Sequence, residues 1–273
     1  MELIYLTTFD AKFIRVPMEH ADQRRKYVMK PVIRLTKKYI VLLGTVAMLC
    51  AMFVMLPGTK AFAIDGDMTI EEGAQPFVQT AEEKALEAKK MKEVESFIKS
   101  LEASPAKGLT QNILAVPLFV QENSYYCGPA SVKQIVHFFK GSSSSQATYA
   151  SLLGTTSAGT DMTKIAPVLQ SKAGRGYIMS DIVNQTTWSN RIVTNIATTK
   201  WPVMLDIKTN GLQWAYATDG HFLDICAIMR DGSTLTHVYF TDPHYKYPNS
   251  AYQRSVELAY RANANHFRHA MIW

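Results

Sequence analysis

The sequence predicts an α+β domain, a layer of helices packed on an antiparallel sheet. Three observations carry this. Apolar residues recur at helical spacing in the first half of the domain, as at Val132, Ile135, Val136 and Phe139. Apolar runs of strand length crowd its last third. Between two of them stands Arg230-Asp231-Gly232-Ser233, a hairpin signal. Helices first and strands later argue for two layers around one core.

The elements follow in order. Glu82 to Leu101 is rich in strong helix formers, with a partial apolar stripe through Leu86, Val94, Phe97, Ile98 and Leu101. It reads as a spacer helix resting one face on the domain, with a pro-segment as the alternative. The domain proper, 110–273, opens with "ILAVPLFVQ" as a short strand. Cys127 to Phe139 is helical, "KGSSSSQAT" a loop and "YASLLG" a short helix. Thr160 or Asp161 caps a further helix that Gly174 stops, and Trp188 to Thr199 is another. The strands are "PVMLDIKT", "GHFLDICAIMR", "TLTHVYFTDP" and "NHFRHAMIW".

Charge and hydropathy divide the rest of the chain. The net charge is +6, and residues 1–63 carry all of it, with 10 basic against 4 acidic residues. The remainder is balanced, which argues against a nucleic-acid partner. Lys37 and Lys38 precede the uncharged run Tyr39 to Leu56, and "PGTKAFA" follows. A basic flank, an apolar run and a small-x-small ending make a secretory signal over 29–63, with Ile64 as the first mature residue. A retained membrane anchor is the rival, since the run is marginally long enough to span. Residues 1–28 are too polar for a signal and read as an atypical extension, with Met29 as the expected start. Residues 64–109 form a leader that holds the 82–101 helix. The protein is expected outside the cytoplasm, touching a membrane only through an uncleaved signal, and the sequence leaves the oligomeric state open.

The chemistry centres on Cys127. Gly128 and Pro129 follow it, and proline is tolerated in the first helical turn. Cys127 therefore sits at a helix N-terminus, where free N–H groups and the helix dipole favour a thiolate. A thiolate nucleophile needs an imidazole to pair with and to protonate the leaving amine. His221 is best placed, at the loop-to-strand junction after Asp219-Gly220. Asp242 ends the next strand. Antiparallel neighbours bring the start of one strand to the end of the other, so Asp242 can orient the His221 ring. The Cys127 N–H and the Gln121 amide are the expected oxyanion donors. Cys226 lies five residues from His221, so strand alternation points it to the other face, as a buried hydrophobe without a disulfide to Cys127. His266 and His269 lack a third ligand and carry no metal-site expectation. No cofactor is expected. Tyr125, Tyr126, Trp201 and Trp214 line a groove or, more commonly for such residues, pack.

Together these residues resemble the papain-like cysteine peptidases. More narrowly, they are similar to the family typified by the double-glycine leader peptidase domain of bacteriocin exporters and its free-standing secreted relatives. The resemblance runs from Val116 to the C-terminus and rests on "VPLFVQENSYYCGPAS", "LLGTTSAGTDMTKIAPVLQSKAG", "WPVMLDI", "GHFLDICAI" and "VYFTDPH". It implies a papain-like α+β fold, Cys127 as nucleophile, His221 as acid/base, Asp242 as orienter and Gln121 as oxyanion donor. A peptide or protein is the implied substrate. No Walker A motif is present in this sequence, so a double-glycine leader is not carried over. His244, after Asp242-Pro243, departs from the pattern and stands as an accessory candidate. A cell-wall amidase of the same chemistry and an inactive peptide- or wall-binding module are the alternatives. The filling of all four roles argues against the inactive one.

Overall fold

The computed structural model describes residues 77–104 and 108–273. The readings of 1–28 as an extension, of 29–63 as a signal and of the leader up to residue 76 fall outside these residues. No described helix is long and apolar enough to cross a membrane.

Helix α1, Ala81–Glu102, starts at Thr80, which forms a reciprocal capping box with Glu83. It rests on the domain through Val94 and Ile98, and Glu87 pairs with the buried Arg191 at 2.6 Å. Strand β1, Leu109–Ile113, comes next. The expected strand over "ILAVPLFVQ" is a correction: pairing ends at Ile113 and residues 114–121 run without regular structure. Three consecutive helices follow: α2 is Cys127–Lys140, α3 Gln146–Leu153 and α4 Ile165–Ala173. Asp161 caps the 3-10 turn before α4, and Gly174 ends α4 in the left-handed conformation. Strand β2, Met179–Asp181, and helix α5, Gln185–Thr194, which runs into a π turn to Thr199, complete the first half.

Strands β3, Val203–Ile207, β4, His221–Asp231, and β5, Thr234–Asp242, form the centre of an antiparallel sheet. Gly232 (φ 57°) turns the chain between Asp231 and Thr234, which pair. Strand β2 has no counterpart in the sequence reading, and neither do two later elements. Strand β6, Asn249–Ser255, is mostly exposed and has little apolar signal. Helix α6, Val256–Ala264, is capped by Ser255, whose hydroxyl accepts from Leu258 N. Of "NHFRHAMIW", only Ala270–Ile272 is strand β7, and the two histidines lie before it in a turn.

The sheet order is β2-β7-β3-β4-β5-β6, with β1 beside the far half of β4. Helices cover both faces, which extends the expected two layers. Met204 and Phe222 pack with α2–α4, through Val132, Ile135 and Leu169. Leu205, Leu223 and Ile225 pack with α1, α5 and α6, through Val94, Ile192 and Ala259. Burial on both faces explains why β3 and the first part of β4 read as apolar runs without alternation. Strand β4 is the hub: β3 pairs with its first half, β1 with its second, and β5 with most of its length. Its first residue is His221, and the neighbouring end of β5 is Asp242.

Candidate active site

Cys127 is the first residue of α2, and no side chain caps that end. The close approach there depends on Gly128. A Cβ at that position would lie 2.5 Å from Thr160 Oγ1, which is itself held by Thr155 Oγ1 at 2.8 Å. The loop after α3 therefore presses directly on the first turn of α2, and only glycine admits it.

His221 Nε2 and Asp242 Oδ1 lie 2.8 Å apart, and both residues are buried. Burial opposes a charge on the His221 ring. Asp242, by charge and hydrogen bond, and the Cys127 sulfur outweigh burial and raise the imidazole to about 10. With Nε2 taken by Asp242, Nδ1 is the nitrogen left for the sulfur. Asp242 is saturated. Oδ1 also accepts from His244 N at 2.9 Å, and Oδ2 accepts from Tyr216 Oη at 2.6 Å and Tyr252 Oη at 2.9 Å. Burial would raise its carboxyl, but His221, Tyr216 and the His244 N–H hold it below the usual range.

Gln121 is tied to the same corner. Its N–H donates to Pro243 O at 2.8 Å, next to Asp242. Its Nε2 donates to Asn123 O at 2.7 Å, while Oε1 is buried without a partner. One amide hydrogen thus remains available. Cys127 is itself 1 % exposed.

The His244 ring lies tilted against Tyr216, 4.2 Å between centroids, and 5.3 Å from the His221 ring. Its Nδ1 accepts from Lys246 N and Tyr247 N. Burial and the neighbouring His221 push it down to about 4, so it is neutral. The sequence reading missed Tyr216 and Tyr252. Tyr216 lies in the loop before β4, and Tyr252 on the strand without apolar signal. Neither position carries a motif, and only the fold gathers them at Asp242.

Other candidates fall elsewhere. Trp201 packs on Tyr177 and Lys90, and Trp214 on Phe240, Tyr252 and Arg254. Tyr125 and Tyr126 are half-buried against each other. His266 is buried beside Asp206 at 3.4 Å, and no group of three metal-ligating side chains occurs among the described residues. Both described cysteines are free. The alternation argument for Cys226 needs correcting, however. A β-bulge between Ile225 and Ala227 breaks the period at that residue, and its thiol donates to Tyr239 O. The residues in phase with His221, Leu223 and Ile225, line the opposite cluster from Cys127.

A model of the Peptidase_C39 like family matches residues 113–267. The chain belongs to this family. It is a papain-like, C39-type cysteine-peptidase domain, and its mixed helical and antiparallel-sheet architecture is of that fold class. No curated protein matches the chain. Three solved structures are similar to it. One is a double glycine motif protease from an AMS/PCAT transporter in complex with the leader peptide. It has 14% identity and a TM-score of 0.40, over 61% of this chain and 96% of that one. Another is the peptidase domain of Streptococcus ComA, a bifunctional ABC transporter involved in quorum sensing. It has 18% identity and a TM-score of 0.36, over 58% and 96%. The third is a C39-like peptidase from Bacillus anthracis, with 10% identity and a TM-score of 0.41, over 60% and 96%. In this C39-like domain the family match starts at 113, so α1 lies outside it while packing on it.

Proposed function

We propose that this C39-like domain hydrolyses a peptide bond through an acyl-enzyme on Cys127. The observation that carries the reading is the His221–Asp242 pair at 2.8 Å, with Cys127, at the uncapped start of α2, among the groups that raise the His221 pKa. The sulfur attacks the substrate carbonyl carbon while His221 holds the thiol proton. The oxygen that gains charge takes hydrogen bonds from the Cys127 N–H and from the remaining amide hydrogen of Gln121. The C–N bond breaks as His221 gives the proton to the leaving amine. Water then attacks the thioester, with His221 taking its proton, and the carboxylic acid leaves as the sulfur regains a proton. Asp242 keeps the ring oriented throughout. No step calls for a metal or cofactor.

The signal reading of 29–63 supports an exported enzyme acting on a peptide or protein outside the cytoplasm. The test uses the chain from Ile64 with and without Cys127→Ala, offered peptide libraries and purified peptidoglycan. New peptide termini and a transient thioester, both absent from the Cys127→Ala protein, are expected. Release of wall amide bonds with no peptide cleavage would replace the peptidase reading by an amidase. Inactivity on both substrate classes would support a binding module.

A further inference from the structure

One buried amide links the elements that bear the proposed catalytic groups. Gln134 lies on α2, seven residues after Cys127, and has no exposed surface. Its Nε2 donates to Asp224 Oδ2 at 2.7 Å, on β4 and three residues after His221. Its Oε1 accepts from Phe119 N at 3.0 Å, two residues before Gln121. The Gln121 N–H closes the circuit on Pro243 O, beside Asp242. One side chain therefore joins the nucleophile's helix, the imidazole's strand and the oxyanion donor's segment.

Packing alone does not ask for this. The neighbours of Gln134 one turn away on the same face of α2 include Ala130, Ser131 and Phe138, and an aliphatic residue at this position would bury no amide. Asp224 is also fully buried, and its Oδ1 has no hydrogen-bond partner. A buried polar pair of this kind carries a desolvation cost, and what it supplies in return is a fixed registry between the elements it joins.

We propose that Gln134 and Asp224 are positioning residues: their hydrogen bond sets the seat of Cys127 relative to His221. The proposal rests on the Cys127–His221 reading above. A displacement of the order of 1 Å between reacting groups can cost up to about a hundredfold in rate, so a single buried bond is enough to matter.

The test measures iodoacetamide alkylation at Cys127, located by peptide mass, and so needs no known substrate. Gln134→Met/Asp224→Leu removes both polar groups together, which limits the loss of stability. Asp224→Leu alone severs only the β4 arm and leaves the Phe119 arm in place. Asp224→Asn keeps an acceptor for Gln134 and is the conservative rescue. His221→Ala is the reference. All are compared at a temperature where near-UV circular dichroism shows each folded. The severing variants should slow alkylation by about tenfold or more, approaching His221→Ala, while Asp224→Asn stays within about threefold of the unsubstituted chain. A severing variant that reacts at or above the unsubstituted rate, while His221→Ala is slow, overturns the strut and leaves the peptidase reading standing. Asp224→Asn as slow as the severing variants also overturns it. If His221→Ala itself reacts at the unsubstituted rate, the Cys–His reading falls and the strut falls with it.

Discussion

Tyr216 Oη donates to Asp242 Oδ2 at 2.6 Å, and Tyr252 Oη reaches the same oxygen at 2.9 Å. The carboxylate that orients the His221 ring is thus shared among four donors. The three donors other than His221 draw negative charge away from the His221 bond.

Removing one tyrosine hydroxyl should make Asp242 hold the imidazolium more tightly. In Tyr216→Phe and Tyr252→Phe, the alkaline limb of the pH–rate profile for Cys127 alkylation should move to higher pH. Stability should fall by about 1 kcal/mol, a few degrees in Tm for a domain of this size. A lower Tm with an unmoved profile would mean that the tyrosines only pack.

The raised His221 pKa also predicts a pH dependence of stability. Folding takes the ring from 6.5 to about 10, so in that interval the native state holds a proton that the unfolded chain has released. The stabilisation is complete below the unfolded value and is lost as pH rises through the folded one. His221→Gln removes the titration. The Tm deficit of His221→Gln should therefore be largest at the acidic end and shrink toward pH 10. A deficit that is constant across this range would contradict the proton assignment.

Lys90 should act in the opposite direction. It is buried on α1, its Nζ 4.4 Å from the Trp273 ring and 5.0 Å from Trp201. The indoles offset part of the cost of burying the charge. Burial still lowers the amine from 10.5 to about 7. Between these values the unfolded chain binds the extra proton, so this group's contribution becomes more favourable as pH rises. Lys90→Met should raise Tm most near pH 6, with the gain fading above pH 9. A gain that grows with pH would contradict this sign. The outcome also reports on α1, because the gain requires the helix to be docked.

Gly128 offers a steric test. In Gly128→Ala the new methyl meets Thr160 Oγ1 at 2.5 Å, inside van der Waals contact. The Thr155–Thr160 hydrogen bond must break or the start of α2 must shift. The expected loss is about 1–3 kcal/mol, in the range of overpacked cores. Gly128→Ala/Thr160→Ser removes one of the contacting methyl groups and should recover part of it. Denaturant unfolding measures both. No recovery in the double variant would place the conflict elsewhere.

Much of the site was legible because its chemistry is local in the chain. Cys127-Gly128-Pro129 announces a helix start, and helix geometry then places the thiol. His221 and Asp242 were legible as a pair because a two-residue turn makes β4 and β5 antiparallel neighbours. Residue pattern was a poor guide where burial is absent or where an apolar run finds no partner strand. Strand β6 has few apolar residues because it is an exposed edge, and the strand expected over 113–121 has apolar residues but a ladder that ends at Ile113.

The sequence by itself determined the helix start at Cys127, the hairpin that pairs β4 with β5, and the residue types able to perform thiol chemistry, because these depend on neighbours along the chain. Only the tertiary structure decided what surrounds those residues. Tyr216 and Tyr252 meet at Asp242, Gln134 meets Asp224 and Phe119, and Thr160 meets Gly128, from positions up to 90 residues apart for Gln134 and Asp224. No local periodicity encodes such contacts. They exist because buried polar groups must find partners wherever the packed core brings them, and that requirement is met only when the whole chain is folded.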